Sequence, residues 1–362
     1  MKVLFLAWRD LAHPNAGGSE VVVDRLAREL QARGHEVALI CGGPVEPRAY
    51  NVVDAGGTFS QYLRSPWLAR RFKDHDVVVD VVNGVGFSTP LWWQGPRVCL
   101  FHHVHAGQWK AHFPGPVASA GWYFERNLLP RLYRSTEFLT ISRSTESELI
   151  GLGVSADLIH LLSLGLDDHL LVPPLPKSES PLFLVIGRLQ PNKGTGRVLD
   201  AWEAVQPQTG GTLAIVGGGP EREELEARGL QGVEWLGRVP DDRKRELLGA
   251  AWLLIHGAYR EGWGLVIVEA ASQGTPAVAF DAPGVRDAVV NGETGLLESD
   301  VRAVASSWVA LCEDHERRGA MGRAARTRAL QFTWGRAAEA LVLAAERAIE
   351  LTPPRRRSSR SR

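Results

Sequence analysis

Residues 261–269 read Glu261-Gly-Trp-Gly-Leu-Val-Ile-Val-Glu269, two carboxylates eight positions apart around a pair of glycines and an apolar run. The stretch Leu265 to Ala271 is apolar with one glutamate inside it and is followed by Gly274-Thr-Pro276, which predicts a short buried helix before a turn. Gly262 and Gly264 let a ligand approach the backbone closely. The first amides of such a helix have no partner within it and, with the helix dipole, favour an anion. The backbone from Gly262 through Trp263, Gly264, Leu265 and Val266 is therefore a candidate cradle for a diphosphate. Carboxylates do not bind phosphate, so Glu261 and Glu269 would meet hydroxyls, which suggests a sugar and a ribose. For an isolated pair of glutamates the alternative is a solvated Glu261 and a salt-bridged Glu269.

At 362 residues the chain exceeds what one core usually supports, so two domains are expected. Its 41 basic and 41 acidic residues cancel, which removes any global electrostatic case for nucleic acid as a partner. Cys41, Cys99 and Cys312 are odd in number and widely spaced, and read as thiols rather than as a disulfide framework or a zinc site. The early apolar run Val3 to Trp8 is too short for a signal peptide core, and no segment approaches 18 apolar residues. A cytoplasmic protein is expected.

Strand, loop and helix patterns alternate along the chain, the signature of an α/β protein with mostly parallel sheets. Lys2 to Ala7 reads as a buried first strand. A helix from about Ser19 to Arg33 follows, with Ser19 as its N-cap and Val22, Leu26 and Leu30 on one face. Further strands are expected at Val37 to Cys41, Val77 to Val82, Arg97 to Phe101 and Glu137 to Ile141. The proline-rich run from Val172 to Pro181 signals a boundary. The expected organisation is an N-terminal domain over 1–172, a linker over 173–181, a second domain over 182–335, a terminal helix over 336–352 and a disordered basic tail over 353–362. Gly17 and Gly18 stand between the first strand and a helix, where backbone amides can meet phosphate or sugar. They do not form a dinucleotide fingerprint. The nearest approach is Gly217-Gly218-Gly219, whose third required glycine falls at Arg222, so hydride transfer is disfavoured and no cofactor is expected.

Around residues 261–269 stand Val233-Glu-Trp-Leu-Gly237, Gly274-Thr-Pro-Ala-Val-Ala279, Pro283-Gly284 and Asn291-Gly-Glu-Thr-Gly-Leu-Leu297. Earlier come Ile186-Gly187-Arg188-Leu189 with Lys193-Gly194, and Ile215-Val-Gly-Gly-Gly-Pro-Glu-Arg222. With Gly17-Gly18-Ser19-Glu20 and Arg33-Gly34-His35-Glu36-Val37, this order closely resembles glycosyltransferase family 4, the retaining enzymes of the GT-B fold. The resemblance covers roughly residues 1 to 335. It implies two Rossmann-like domains facing across a cleft between donor and acceptor, and transfer of a hexose from a UDP- or GDP-linked sugar to an acceptor hydroxyl.

Arg188 and Lys193 lie just past a predicted strand, and their charges suit a diphosphate leaving group. The resemblance gives them that role, gives Glu261 the sugar hydroxyls and Glu269 the ribose, and brings the Gly17-Gly18 loop against the donor. In Phe101-His-His-Val-His105 it favours His102 as the contact to the sugar, ahead of His103 and His105. Asp74-His-Asp76 reads as a polar strand entrance rather than a D-x-D site, so no metal is expected. A nucleotide-sugar 2-epimerase, a phosphorylase or a non-catalytic sugar-nucleotide binding module would be the alternatives on such a scaffold.

Three departures from the family pattern bear on the donor sugar: Ser163-Leu164 before Gly165-Leu166-Asp167, Gly257-Ala258 where a proline-serine pair is usual, and the loosely matching Ile141-Ser-Arg143-Ser144. Trp92, Trp93, Trp109, Phe113 and Trp122 to Phe124 could stack on an acceptor sugar or contact a lipid, or belong to the core. The tail carries five arginines and nothing to bury. It reads as a solvated end, with peripheral contact to an anionic membrane as the second option.

Overall fold

In the computed structural model of the chain, which describes all residues except 15, 58, 106–108, 110–113 and 353–362, two parallel sheets organise two compact units. The first contains β1 (Lys2–Arg9), β2 (Glu36–Gly42), β3 (Asn51–Asp54), β4 (Val77–Val82), β5 (Arg97–Phe101), β6 (Glu137–Thr140) and β7 (Ile159–Leu161), in the order β3-β2-β1-β4-β5-β6-β7. The second contains β8 (Leu182–Ile186), β9 (Thr212–Val216), β10 (Val233–Gly237), β11 (Leu253–His256), β12 (Ala277–Phe280) and β13 (Gly295–Glu298), in the order β10-β9-β8-β11-β12-β13. Each sheet starts in its middle and is wound both ways, so its order reverses between β1 and β4 in the first and between β8 and β11 in the second. Ligands of open α/β sheets bind beyond the carboxyl ends of the strands at such reversals.

Strands buried on both faces explain the near-continuous apolar runs that mark them in the sequence. One exception is Asp80, fully buried in the middle of β4. Its carboxylate accepts hydrogen bonds from Thr89 Oγ1 (2.8 Å), the Phe87 amide (3.0 Å) and the Tyr133 hydroxyl, so a side chain that burial alone would penalise pins the loop after β4. In the second unit Trp202, Trp308 and Phe183 pack ring against ring at 5.0 to 5.6 Å, all fully buried.

The first unit runs from Met1 to Leu164 and takes in the final helix Trp334–Leu351; the second spans Gly165–Thr333. The final helix buries Ala337, Ala338, Leu341, Ala344 and Ala345 against β4 to β7 and the helix Gly18–Ala32. Its entry is tied by Arg33, whose Nη2 donates to Gly335 O at 2.9 Å. Where the sequence suggests a first domain over 1–172 and a separate terminal helix over 336–352, the first unit's initial stretch ends at Leu164 and the helix packs with that unit, which covers its apolar stripe. The run at 173–181 lies along the second unit: the Ser178 amide donates to Ala250 O (2.9 Å) and Trp252 Nε1 to Ser178 O (2.8 Å).

The helix expected to start at Ser19 starts at Gly18 with Gly17 as its cap, and the Glu20 carboxylate folds back to accept the Gly17 amide at 2.7 Å. Cys41 and Cys99 are buried, Cys312 is half-buried, and all three are free. Among the described residues no helix is long and apolar enough to cross a membrane. The basic tail at 353–362 and Phe113 lie outside the described residues.

Candidate active site

The carboxyl ends of β8 and β11, neighbours across the reversal of the second sheet, carry the candidate residues of the second unit. Beyond β8 a 3-10 turn, Pro191–Lys193, leads through Gly194 into the helix Thr195–Thr209. Gly194 sits at φ 59°, and a Cβ there would lie 2.1 Å from Gly257 O, so only glycine lets this turn press against the loop after β11. The contact is closed by the Tyr259 amide, which donates to Asn192 O at 3.0 Å.

That closure brings together residues 68 positions apart: Lys193 Nζ lies 2.6 Å from Glu261 Oε1. His256 Nε2, at the end of β11, approaches the same oxygen at 3.2 Å. Burial by itself would raise the Glu261 carboxyl, but the Lys193 charge, with His256 behind it, outweighs burial and holds the group well below the usual carboxylate range. The backbone of Glu261 is fixed as well, its amide donating to Pro283 O at 3.0 Å. Arg188, by contrast, stands exposed at the end of β8, and among the described residues no ion pair joins it to Lys193 or Glu261.

After Glu261 the chain passes Gly262 and Trp263 to Gly264, which sits at φ 78° and caps the helix Leu265–Ser272 predicted from the sequence. The Trp263 ring is buried edge-on against Phe332 at 4.8 Å, which leaves its backbone, not its ring, to line a ligand. Leu265 and Val266 open the helix and are half-buried. In the second turn Glu269 Oε2 meets Lys244 Nζ, from the helix Asp241–Ala250, at 2.5 Å. Each of the two glutamates therefore faces a lysine, and neither side chain is more than 14% exposed. His256 and Lys244 are the site residues that sequence reasoning missed. Lys244 was the more visible of the two, since the chain has only 6 lysines.

In the first unit, His102 follows the last residue of β5 and is 4% exposed. Burial, helped by His105, lowers its imidazole to about 4, and its Nε2 has no hydrogen-bond partner among the described residues. A buried neutral ring with an open nitrogen is able to meet a hydroxyl. The His103 and His105 rings stack at 4.2 Å. This histidine stretch is held by the fully buried Glu125, which accepts the His105 amide (2.8 Å) and Trp109 Nε1 (2.9 Å). Glu125 belongs to a π-helical turn, Phe124–Leu128, a feature that recurs at functional sites. At the end of β1 the Gly17 amide is taken by Glu20, so the anion at that helix start is the chain's own carboxylate. Gly18 faces open space, with nothing within 4 Å of a Cβ placed on it. Among the described residues no group of His, Cys, Asp and Glu is arranged to hold a metal ion.

Two doubly wound parallel sheets, the second carrying two carboxylates around a glycine-capped helix, define a glycosyltransferase of the GT-B fold. Solved structures share it: sucrose-phosphate synthase from Thermosynechococcus elongatus aligns at a TM-score of 0.81 and 20% identity over 97% of this chain and 100% of that one. The Anabaena protein HepE in complex with UDP-glucose aligns at 0.73 and 20% identity, over 97% and 98%. Residues 16–170 match the model for Glycosyltransferase Family 4 and residues 171–328 that for Glycosyl transferases group 1. A D-inositol 3-phosphate glycosyltransferase of Xylanimonas cellulosilytica is 30% identical over 94% of each chain, and an MMP alpha-(1->4)-mannosyltransferase of Mycolicibacterium hassiacum 25% identical over 96% and 98%. The chain belongs to glycosyltransferase family 4.

Proposed function

We propose that this enzyme transfers a hexose from a UDP- or GDP-linked sugar to an acceptor hydroxyl with retention at the anomeric carbon. The observation that carries the proposal is the Lys193–Glu261 pair at 2.6 Å beside the glycine-capped start of the helix Leu265–Ser272. A cation, a hydroxyl-binding carboxylate and the first amides of the helix there match the diphosphate and sugar ends of one ligand. The solved HepE structure is described as a complex with UDP-glucose, which supports a nucleotide-sugar donor for this relative.

In the proposed reaction the bond between the anomeric carbon and the diphosphate oxygen breaks, and its electron pair leaves with the phosphate. The acceptor oxygen bonds to the same carbon from the same face, and its proton passes to the departing phosphate oxygen. Lys193, exposed Arg188 and the amides from Gly262 to Val266 stabilise the charge that builds on the diphosphate. Glu261 orients the sugar hydroxyls and Glu269 the ribose, and by the family resemblance His102 contacts the sugar and the Gly17-Gly18 loop meets the donor. The residues in these roles need no metal or organic cofactor. The three free thiols suit the cytoplasm.

The acceptor side of the proposal includes a membrane surface. On the helix Ser60–Leu68, Gln61, Ser65 and Leu68 are buried while Leu63 is 85% and Trp67 58% exposed, with Phe59 at the cap 50% exposed. Exposed Arg64, Arg70 and Arg71 flank them, and no acid occurs between Asp54 and Asp74. This apolar and basic face fits an anionic bilayer, where a lipid-linked acceptor would be found.

The test is incubation with UDP- and GDP-sugars, alone and then with hydroxyl acceptors. Transfer only in the presence of an acceptor supports the proposal. A changed donor sugar without acceptor would indicate an epimerase, sugar phosphate formed from phosphate a phosphorylase, and binding without turnover a non-catalytic module.

A further inference from the structure

Arg197 occupies an unfavourable position that calls for a reason. It lies in the first turn of the helix Thr195–Thr209, where the helix dipole disfavours a cation. Burial lowers its pKa, and among the described residues no carboxylate pairs with it. Its hydrogen bonds go to two consecutive carbonyls of the loop after β11: Nε donates to Gly257 O and Nη2 to Ala258 O, both at 2.6 Å. Its guanidinium plane is sandwiched between the rings of Tyr259 and Phe280, with Cζ 3.9 Å and 3.8 Å from their centroids. Gly257-Ala258 stands where a proline-serine pair is usual in the family, so this loop lacks the stiffness a proline would give it.

The same loop is fitted to the Lys193 turn on its other side. A Cβ on Gly257 would lie 2.4 Å from Gly194 O and 2.8 Å from Val198 Cγ2, and the Tyr259 amide bonds to Asn192 O. Glu261 is three residues past Ala258, and Lys193 four before Arg197. The guanidinium thus ties the chain segment that carries the cation to the segment that carries the carboxylate.

We propose that Arg197 is the positioning residue of this enzyme's donor site: its guanidinium, stacked on Tyr259 and Phe280, clamps the carbonyls of Gly257 and Ala258 and so holds Glu261 in register with Lys193. It touches no reacting atom. The inference rests on the proposed role of Glu261 toward the sugar, and its geometric part stands without that role. The clamp needs a planar fork that donates to two acceptors while stacking on rings, which a lysine ammonium does not provide.

The test compares Arg197→Lys and Arg197→Met with the parent by calorimetry, using UDP and UDP-glucose as probes, or GDP and GDP-mannose should the parent bind those instead. Releasing the loop from Arg197 misplaces Glu261 and costs its hydrogen bond to the sugar, so the sugar nucleotide should weaken about tenfold, in the lysine variant as in the methionine one, while the bare nucleotide binds within about twofold of the parent. Equal weakening of both probes, or full rescue by lysine, would reduce Arg197 to general scaffolding and overturn the proposal. A urea-unfolding cycle of Arg197→Met, Glu261→Gln and the double variant separates this from the functional reading, since it needs no ligand. Non-additive midpoint shifts support the clamp even in a protein that binds neither nucleotide sugar, and additive shifts overturn it.

Discussion

Lys193 and Glu261 face each other at 2.6 Å across two loops that leave adjacent strands of the second sheet. Neither residue type nor spacing announces the contact, yet it places the cation for a leaving diphosphate beside the carboxylate for a sugar. Replacing Lys193 with alanine should lower turnover by about a hundredfold, the scale seen when an electrostatic donor to transition-state charge is removed. Arg188→Ala should do the same through its exposed guanidinium. Steady-state kinetics on the folded variants decides it, and near-parental turnover in both would remove the pair from the mechanism.

The acid limb of stability should carry two signatures. His102 is lowered from its ordinary 6.5 to about 4, so the unfolded chain takes up a proton first as pH falls. Its contribution is fully present above pH 6.5 and lost between 6.5 and 4. Glu261 is depressed below its ordinary 4.5, so its contribution is present above that value and lost only as pH falls further, through the folded pKa. Urea unfolding of the parent from pH 7 to 5 should therefore show a decline on the order of 2 kcal/mol from His102 that His102→Gln lacks. Parallel curves for the two proteins would mean that the imidazole is not held neutral by burial.

The two glutamates should separate by ligand. Glu269, paired with Lys244 at 2.5 Å, is assigned to ribose, and Glu261 to the sugar. Glu269→Gln should weaken a bare nucleoside diphosphate by about tenfold, the worth of a hydrogen bond to a charged group, while Glu261→Gln should spare it and weaken the complete sugar donor. Titration calorimetry with both ligands on both variants tests the division, which fails should each variant lose both ligands equally.

The strands were legible because a sheet buried on both faces writes itself as runs of Val, Ile and Leu: Val77–Val82 and Arg97–Phe101 fall where the pattern puts them. The helix Leu265–Ser272 was legible for the same reason, with Gly264 marking its start. What stayed hidden depends on long-range closure. The return of Trp334–Leu351 to the first unit is set by which sheet covers its alanine-rich stripe, a choice that periodicity does not encode. The partners of Glu261 and Glu269 arrive from 68 and 25 positions away. The back-folding of Glu20 onto the Gly17 amide is a side-chain rotamer, which residue types alone do not fix.

The exposed face of the helix Ser60–Leu68 gives the last prediction. Leu63 and Trp67 lie one helical turn apart and point away from buried Gln61, Ser65 and Leu68, and the Arg71 guanidinium lies 5.5 Å from the Trp67 ring. A face of this kind buries its apolar groups at the boundary of a bilayer while arginines meet anionic headgroups, each basic residue contributing about 1 kcal/mol near the surface. Sedimentation with vesicles rich in phosphatidylglycerol should pull down the parent, more at low salt than at high. The double variant Leu63→Ser, Trp67→Ser should stay in the supernatant with an unchanged melting temperature, since neither side chain is packed in the core. Deleting residues 353–362 distinguishes the basic tail as a source of binding. Equal sedimentation of parent and double variant, with loss only on deletion, would transfer the membrane contact from this helix to the tail.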